Sequence, residues 1–102
     1  MASISTHVLD VAAGHPAPGV RASLYHGEDL VGAGTTDAEG RVRELAEGLE
    51  PGAYDLVFDL RDYFGTRDRM VTRVALRLEL KEGHHHVPLL VSPFSIASYR
   101  GS

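Results

Sequence analysis

Cysteine is absent from this sequence of 102 residues. Its absence excludes a disulfide framework, thiolate catalysis and zinc sites with cysteine ligands. No apolar run approaches the roughly 20 residues that span a bilayer. The first residues, MASISTHVLD, also lack the basic start and apolar centre of a signal peptide. We therefore expect a cytoplasmic protein that does not interact with a membrane.

Lysine is nearly absent as well, since Lys81 is the only one among the 10 basic residues. With 14 acidic residues the net charge is −4, and no basic cluster could follow a phosphate backbone. Nucleic acid is therefore not an expected partner, and a positive group at a functional site would be a guanidinium. The length suits one domain, residues 1–102, and six histidines are unusual in so short a chain.

Alternating apolar and polar residues predict strands almost throughout. In TRVALRLELK, apolar Val74 to Leu80 alternate with polar or small residues, and AYDLVFDL repeats the pattern. Turn residues separate strands near 8, 24, 33, 43, 56, 76 and 89. One short helical turn fits RDYFGTRDR before Gly65. The pattern predicts an all-β fold, an antiparallel β-sandwich.

The triplet HHH, residues 84 to 86, is the first candidate site. In a strand from 84 to 91, His84 and His86 would lie on one face and His85 on the other. Pro88 cannot donate to a ladder, which predicts a strand at a sheet edge or near a bulge. Imidazole can activate water near neutral pH. A polar strand start without chemistry, and a metal site completed by His7 or His15, remain alternatives.

Four segments resemble one family: ISTHVLDVAAGHPAPGV, TTDAEGRVREL, HHHVPLLVSP and the terminal SYRGS. Together they resemble the 5-hydroxyisourate hydrolases, the enzyme branch of the transthyretin-like family. The family typically has HYHVPLL, so His84 and His86 match its two histidines and His85 replaces the tyrosine. On the strand pattern this substitution affects packing more than chemistry.

The resemblance implies a prealbumin-like sandwich of two four-stranded sheets with one short helix. It also implies a homotetramer, a dimer of dimers, with active sites in the channel between dimers. The implied reaction hydrolyses 5-hydroxyisourate to 2-oxo-4-hydroxy-4-carboxy-5-ureidoimidazoline in urate degradation, by attack of water on a cyclic amide. No metal and no organic cofactor is expected.

The family motifs also imply the site residues. The expected catalytic residues are His7, Arg41, His86 and Ser102, and the expected substrate-binding residues are His7, Arg41, His84 and Tyr99. One of His7 and His86 would accept a proton from water while the other orients it or returns the proton. Arg41 would stabilise the oxyanion. No base adjoins Ser102, which favours direct attack by water over an acyl-enzyme.

Some segments depart from the family pattern, and two other functions remain alternatives. RMVTRV replaces an aromatic and proline step at the entry to a late strand, and Phe94 and Ile96 replace tyrosines in an expected subunit-contact region. The first half also resembles non-catalytic modules of the carboxypeptidase-regulatory type, and a transthyretin-like carrier would share the fold. Neither alternative is expected to have the HxHVPLL segment or the YRGS end.

Overall fold

The computed structural model describes all 102 residues, which form nine strands and one helical turn. The elements are β1 (Ala2–Asp10), β2 (His15–Pro16), β3 (Arg21–His26), β4 (Asp29–Thr35), β5 (Arg41–Leu49), β6 (Gly52–Asp59), α1 (Arg61–Phe64), β7 (Arg73–Leu80), β8 (Gly83–Ser92) and β9 (Ser95–Ser98). The seven predicted strands and the helical turn are all present. No helix is long and apolar enough to cross a membrane.

Two sheets face each other, as expected for a sandwich. One has the order β4, β3, β6, β7. In the other, β1 pairs with β8, β8 pairs with β9, and β5 pairs with the opposite side of β1. The two-residue strand β2 also pairs with β1, which makes this sheet five-stranded. The β1–β8 pair is parallel, the one exception to the predicted antiparallel arrangement.

The core lies between the sheets and follows the alternation in the sequence. On β6, Tyr54, Leu56 and Phe58 are at most 3% exposed, and β1 contributes Ile4 and Val8 from the facing sheet. They belong to one cluster of 20 buried apolar residues. Burying each large side chain contributes about 1.5–3 kcal/mol before chain entropy is subtracted.

Strand β7 is an edge strand of the sheet β4, β3, β6, β7, and the helical turn α1 precedes it in the chain. Leu76 and Leu78 are only half-buried, because β7 has a neighbour on one side alone. The turn α1 places Phe64 in the core, 2% exposed, and ends at Gly65, whose φ of 59° lies in the left-handed region that favours glycine. This is the helix end predicted from the sequence.

A buried carboxylate attaches the segment after β6 to the end of β1. Asp10, 1% exposed, accepts hydrogen bonds from Tyr63 Oη at 2.7 Å, from Arg67 at 2.9 Å and from the backbone N–H of Ala13 at 2.9 Å. Burial alone would raise the pKa of Asp10, but the bonds from these three groups and the charge of Arg67 outweigh burial and lower it to about 2. Asp10 is therefore ionised in the folded protein.

Strand β8 is an inner strand of its sheet only in its second half. Residues 89 to 91 pair with both β9 and β1, so the predicted edge position is wrong for this half. Pro88 directly precedes the β9 pairing, and its carbonyl accepts from Ser98 Oγ at 2.7 Å. Before Pro88, the side of β8 away from β1 has only a bridge between His86 and Gly101. The sheet therefore has one strand fewer beside the histidines than beside residues 89 to 91.

Candidate active site

The parallel pair β1–β8 arranges polar side chains on the outer face of its sheet. The register places Ser3 beside His84, Ser5 beside His86 and His7 beside Pro88. The alternate residues of both strands, such as Ile4, Val8, Val87 and Leu89, are buried in the core. His85 points away from the outer face, and its Nε2 lies 2.8 Å from the carbonyl of Lys81. The predicted division of the triplet into two faces is confirmed.

A tight turn before β5 positions Arg41. Asp37 Oδ1 accepts from the backbone N–H of Glu39 at 2.9 Å and from that of Arg41 at 3.0 Å. The bond from Arg41 is the largest cause of the lowered pKa of Asp37. Arg41 is then paired with His7 across the β1–β5 ladder. The segment TTDAEGR therefore places Arg41 beside His7.

The same turn fixes the orientation of His7. Its Nε2–H donates to the carbonyl of Glu39 at 2.8 Å, and because a carbonyl only accepts, neutral His7 has its lone pair on Nδ1. Gly40 accepts from the N–H of Val8 at 2.7 Å. A Cβ on Gly40 would lie 2.3 Å from the Val8 carbonyl, and the φ of 77° also requires glycine. This close approach keeps the turn against β1.

His86 borders a small polar pocket of about 130 Å³ whose other lining residues are Ser5, Thr6, Arg41 and Arg43. Its Nδ1 lies 2.8 Å from Ser5 Oγ, while its Nε2 has no hydrogen-bond partner in the protein. Burial lowers the pKa of His86, and the neighbouring Arg41, His7 and His84 lower it further. His86 is therefore neutral near neutral pH, with one ring nitrogen free.

The end of the chain crosses His86. The N–H of Gly101 donates to the His86 carbonyl at 2.8 Å, and a Cβ on Gly101 would lie 2.7 Å from His86 Cδ2. Ser102 follows and is exposed. Tyr99 is 58% exposed and lines a different cavity of about 460 Å³ between β7 and the residues after β9. Within one chain, Tyr99 is thus apart from the polar pocket.

Sequence reasoning missed three residues of this face. Ser3 and Ser5 bond the histidines, and Arg43 lines the pocket beside Arg41. The alternation in SISTH, which places both serines on the same face as His7, was an available signal. No group of three or more histidine, aspartate or glutamate side chains is arranged to hold a metal ion.

Comparison with known proteins gives the family. The HIUase/Transthyretin family model matches residues 4–101. The chain belongs to the HIUase/transthyretin family. A 5-hydroxyisourate hydrolase of Pseudomonas aeruginosa is 37% identical over 117 residues, covering 100% of this chain and 93% of the relative. One of Caulobacter vibrioides is 38% identical over 115 residues and covers 100% of both chains.

Solved structures of the HIUase/transthyretin family share the fold. A Klebsiella pneumoniae 5-hydroxyisourate hydrolase superposes with a TM-score of 0.94 at 33% identity, covering 100% of each chain. Transthyretin from Sparus aurata gives a TM-score of 0.87 at 23% identity, covering 96% of this chain and 95% of that one, which is evidence for the fold alone. The expected transthyretin-like sandwich is confirmed.

Proposed function

We propose that this protein hydrolyses 5-hydroxyisourate to 2-oxo-4-hydroxy-4-carboxy-5-ureidoimidazoline in urate degradation. The observation that carries the proposal is the neutral His86, which has a free Nε2 and lines one pocket together with Arg41 and Arg43. A base and fixed positive charge are what attack of water on a carbonyl requires. The relatives named 5-hydroxyisourate hydrolase, at 37% and 38% identity, support the same substrate.

The reaction we propose begins with water placed between His86 and the substrate carbonyl. His86 Nε2 accepts a proton as the water oxygen attacks the carbonyl carbon, and His7 Nδ1 orients the water. The guanidinium of Arg41 donates hydrogen bonds to the developing oxyanion. Collapse of the tetrahedral intermediate breaks the carbon–nitrogen bond, and His86 returns the proton to the leaving nitrogen. The product carries a new carboxylate.

The chain end completes the proposed site. Because Gly101 is bonded to the His86 backbone, Ser102 would contact the substrate. Tyr99 lies apart from this pocket within one chain, so it would donate to substrate only in the pocket of another subunit of the proposed tetramer. We assign His86 to the activation of water and no second base to the Ser102 hydroxyl, so direct attack by water is preferred over an acyl-enzyme. No cofactor is part of the proposal, and we expect activity to survive treatment with a chelator.

Hydrolysis is favoured over the two non-catalytic alternatives. A non-catalytic module of the carboxypeptidase-regulatory type does not need a neutral histidine that shares a pocket with two arginines. A transthyretin-like carrier shares the fold, yet the solved transthyretin is only 23% identical, whereas relatives at 37–38% identity carry the hydrolase name.

The homotetramer, a dimer of dimers, stays a proposal, as does the single domain of residues 1–102. Supporting it, β7 and β9 are unpaired edges that flank one apolar cavity of about 460 Å³, where another copy could extend both sheets. Light scattering should give four times the chain mass of 11.0 kDa; a monomer at micromolar concentration would contradict it. The cytoplasmic location also stays a prediction, which cell fractionation would test.

The decisive assay follows the absorbance of freshly generated 5-hydroxyisourate with and without micromolar protein. We expect rapid decay with the protein, and decay no faster than the spontaneous rate would refute the function. His86→Ala should abolish the acceleration. His15→Ala is the matched control, because His15 is exposed on β2 and away from the pocket, so it should retain full activity.

A further inference from the structure

Four side chains form an unbroken chain of hydrogen bonds along the outer face of the β1–β8 pair. Ser3 Oγ lies 2.7 Å from His84 Nδ1, His84 Nε2 lies 2.9 Å from Ser5 Oγ, and Ser5 Oγ lies 2.8 Å from His86 Nδ1. The Ser3 end is exposed and Ser5 is 7% exposed. This chain of hydrogen bonds therefore runs from solvent to His86, the proposed base.

Counting hydrogens restricts how these bonds can be made. The hydroxyl of Ser5 has one hydrogen but two ring nitrogens as partners, so it donates to one and must accept from the other. If His86 donates through Nδ1–H, then Ser5 donates to His84 Nε2 and His84 donates through Nδ1–H to Ser3. In the opposite direction every donor reverses, and the hydrogen of His86 moves to Nε2. The four groups therefore switch together.

The charges around His86 select between these directions. The groups that face it are Arg41 and Arg43 of β5, His7 of β1 and His84 of its own strand. A lone pair on Nε2 is attracted to the two guanidiniums, whereas an N–H dipole there is repelled. The favoured direction therefore places the hydrogen on Nδ1 of His86 and leaves Nε2 able to accept a proton.

Both ring nitrogens of His84 are bonded to serines, at 2.7 Å and 2.9 Å. His84 could therefore bind substrate, as the sequence predicts, only by giving up one of these bonds. We propose that Ser5 and His84 are positioning residues: His84 orients the Ser5 hydroxyl, and Ser5 holds His86 in the tautomer with hydrogen on Nδ1. The inference rests on the proposed function, in which His86 is the base.

The first test reads the tautomer directly and needs no substrate. Nitrogen-15 NMR of histidine-labelled protein above the pKa of His86 should show hydrogen on Nδ1 and a bare Nε2. In Ser5→Ala only the charges of the two arginines still favour this tautomer, so the population with hydrogen on Nδ1 should fall. In His84→Leu the Ser5 hydroxyl loses the acceptor for its hydrogen and becomes free to donate to His86, which should raise the population with hydrogen on Nε2. In His84→Gln the amide oxygen can still accept from Ser5, so the wild-type tautomer should return.

The second test measures kcat and KM for 5-hydroxyisourate in the same variants. Partners that orient a metal-bound histidine typically contribute about 10–100-fold, and by analogy we expect kcat to fall by about that factor in Ser5→Ala and His84→Leu and to recover in His84→Gln. KM should stay within about twofold, because neither residue touches substrate. Ser95→Ala, which breaks a serine–serine bond near β9, is the matched control and should have no effect.

Several outcomes would overturn the inference: a wild-type His86 with hydrogen on Nε2, an unchanged tautomer in Ser5→Ala, or a raised KM with unchanged kcat in His84→Leu. The last result would instead assign His84 to substrate binding. A wild-type protein with the expected tautomer but no hydrolysis would refute the proposed function while leaving the tautomer control established. Melting temperatures near wild type are required of each variant.

Discussion

At the scale of single residues, His86 illustrates how the surroundings decide what an imidazole can do. The triplet contains three identical side chains, yet His85 bonds a backbone carbonyl and His84 is held by two serines. Only His86 combines a free ring nitrogen, partial burial and neighbouring guanidiniums. Its function as a base then depends on remaining neutral, which makes activity dependent on pH.

The pH profile of kcat/KM tests this requirement. The pKa of His86 lies below the ordinary 6.5, so the neutral form predominates at higher pH and is lost only as pH falls through the lowered value. We therefore expect activity to be level near neutral pH, with an acidic limb that begins below 6.5. A limb centred above that value would show that His86 is not the titrating base.

Variants of Arg41 test how much its positive charge and hydrogen bonds stabilise the oxyanion. Removing one donor to an oxyanion typically costs about 10²–10³ in rate, so Arg41→Ala should lower kcat by that factor. Arg41→Lys should recover only part, because an ammonium lacks the planar fork of donors. Arg73→Ala, an exposed arginine on β7, is the control. Full activity in Arg41→Ala would remove this residue from the mechanism.

At the scale of elements, the site depends on short irregular segments that position regular strands. The turn at residues 37 to 41 presents Arg41 and bonds His7, while the end of the chain crosses His86 at Gly101. Both use glycine where a Cβ would approach another group too closely. Small changes in these segments should therefore affect catalysis more than folding.

Gly101→Ala tests the chain end. The added Cβ would lie 2.7 Å from His86 Cδ2, so the imidazole or the terminal segment must shift. We expect a fall in kcat of about tenfold or more, since misplacement by about 1 Å can cost about 10², with little change in the melting temperature. Arg100→Ala, at the preceding exposed position, should be nearly neutral. Equal losses in both variants would point to a general loosening of the segment.

Sequence reasoning predicted the individual strands better than it predicted which strands pair with each other. Alternation in residues 54–60 and 74–80 was sufficient for β6 and β7, because one face of each is buried. The strand β9 was missed because SIAS is short and has no buried face. The parallel β1–β8 pairing could not be inferred from the alternation pattern either, so the bonds of Ser3 and Ser5 to the histidines emerged only from the fold.

At the scale of the whole molecule, the ion pair of the buried Asp10 with the more exposed Arg67 connects the two sheets. It bonds Tyr63 and Arg67, which follow β6, to the end of β1 in the other sheet. Asp10 also affects its partner, since burial and the bond to Asp10 raise the pKa of Tyr63 to about 12. Global stability should therefore depend on the charge of this carboxylate.

Chemical denaturation of Asp10→Asn tests this dependence. The pKa of Asp10 is lowered from 3.8 to about 2 on folding, which corresponds to about 2 kcal/mol of stability near neutral pH. That contribution is present above the unfolded value of 3.8 and is lost as pH falls through about 2. Asp55→Asn breaks an exposed pair with Arg77 and should cost much less stability, because water and salt screen exposed pairs. Equal costs would contradict a special role for Asp10.

The parallel pairing of β1 and β8 has a consequence for synthesis of the chain. Ser5 and His86 are 81 residues apart, so the proposed base meets its partner only after the chain has emerged from the ribosome through β8. Such long-range closure is characteristic of slow-folding topologies. An incomplete nascent chain that lacks β8 contains no His86 at all. Enzymatic turnover should therefore begin only after β8 has been made and has paired with β1.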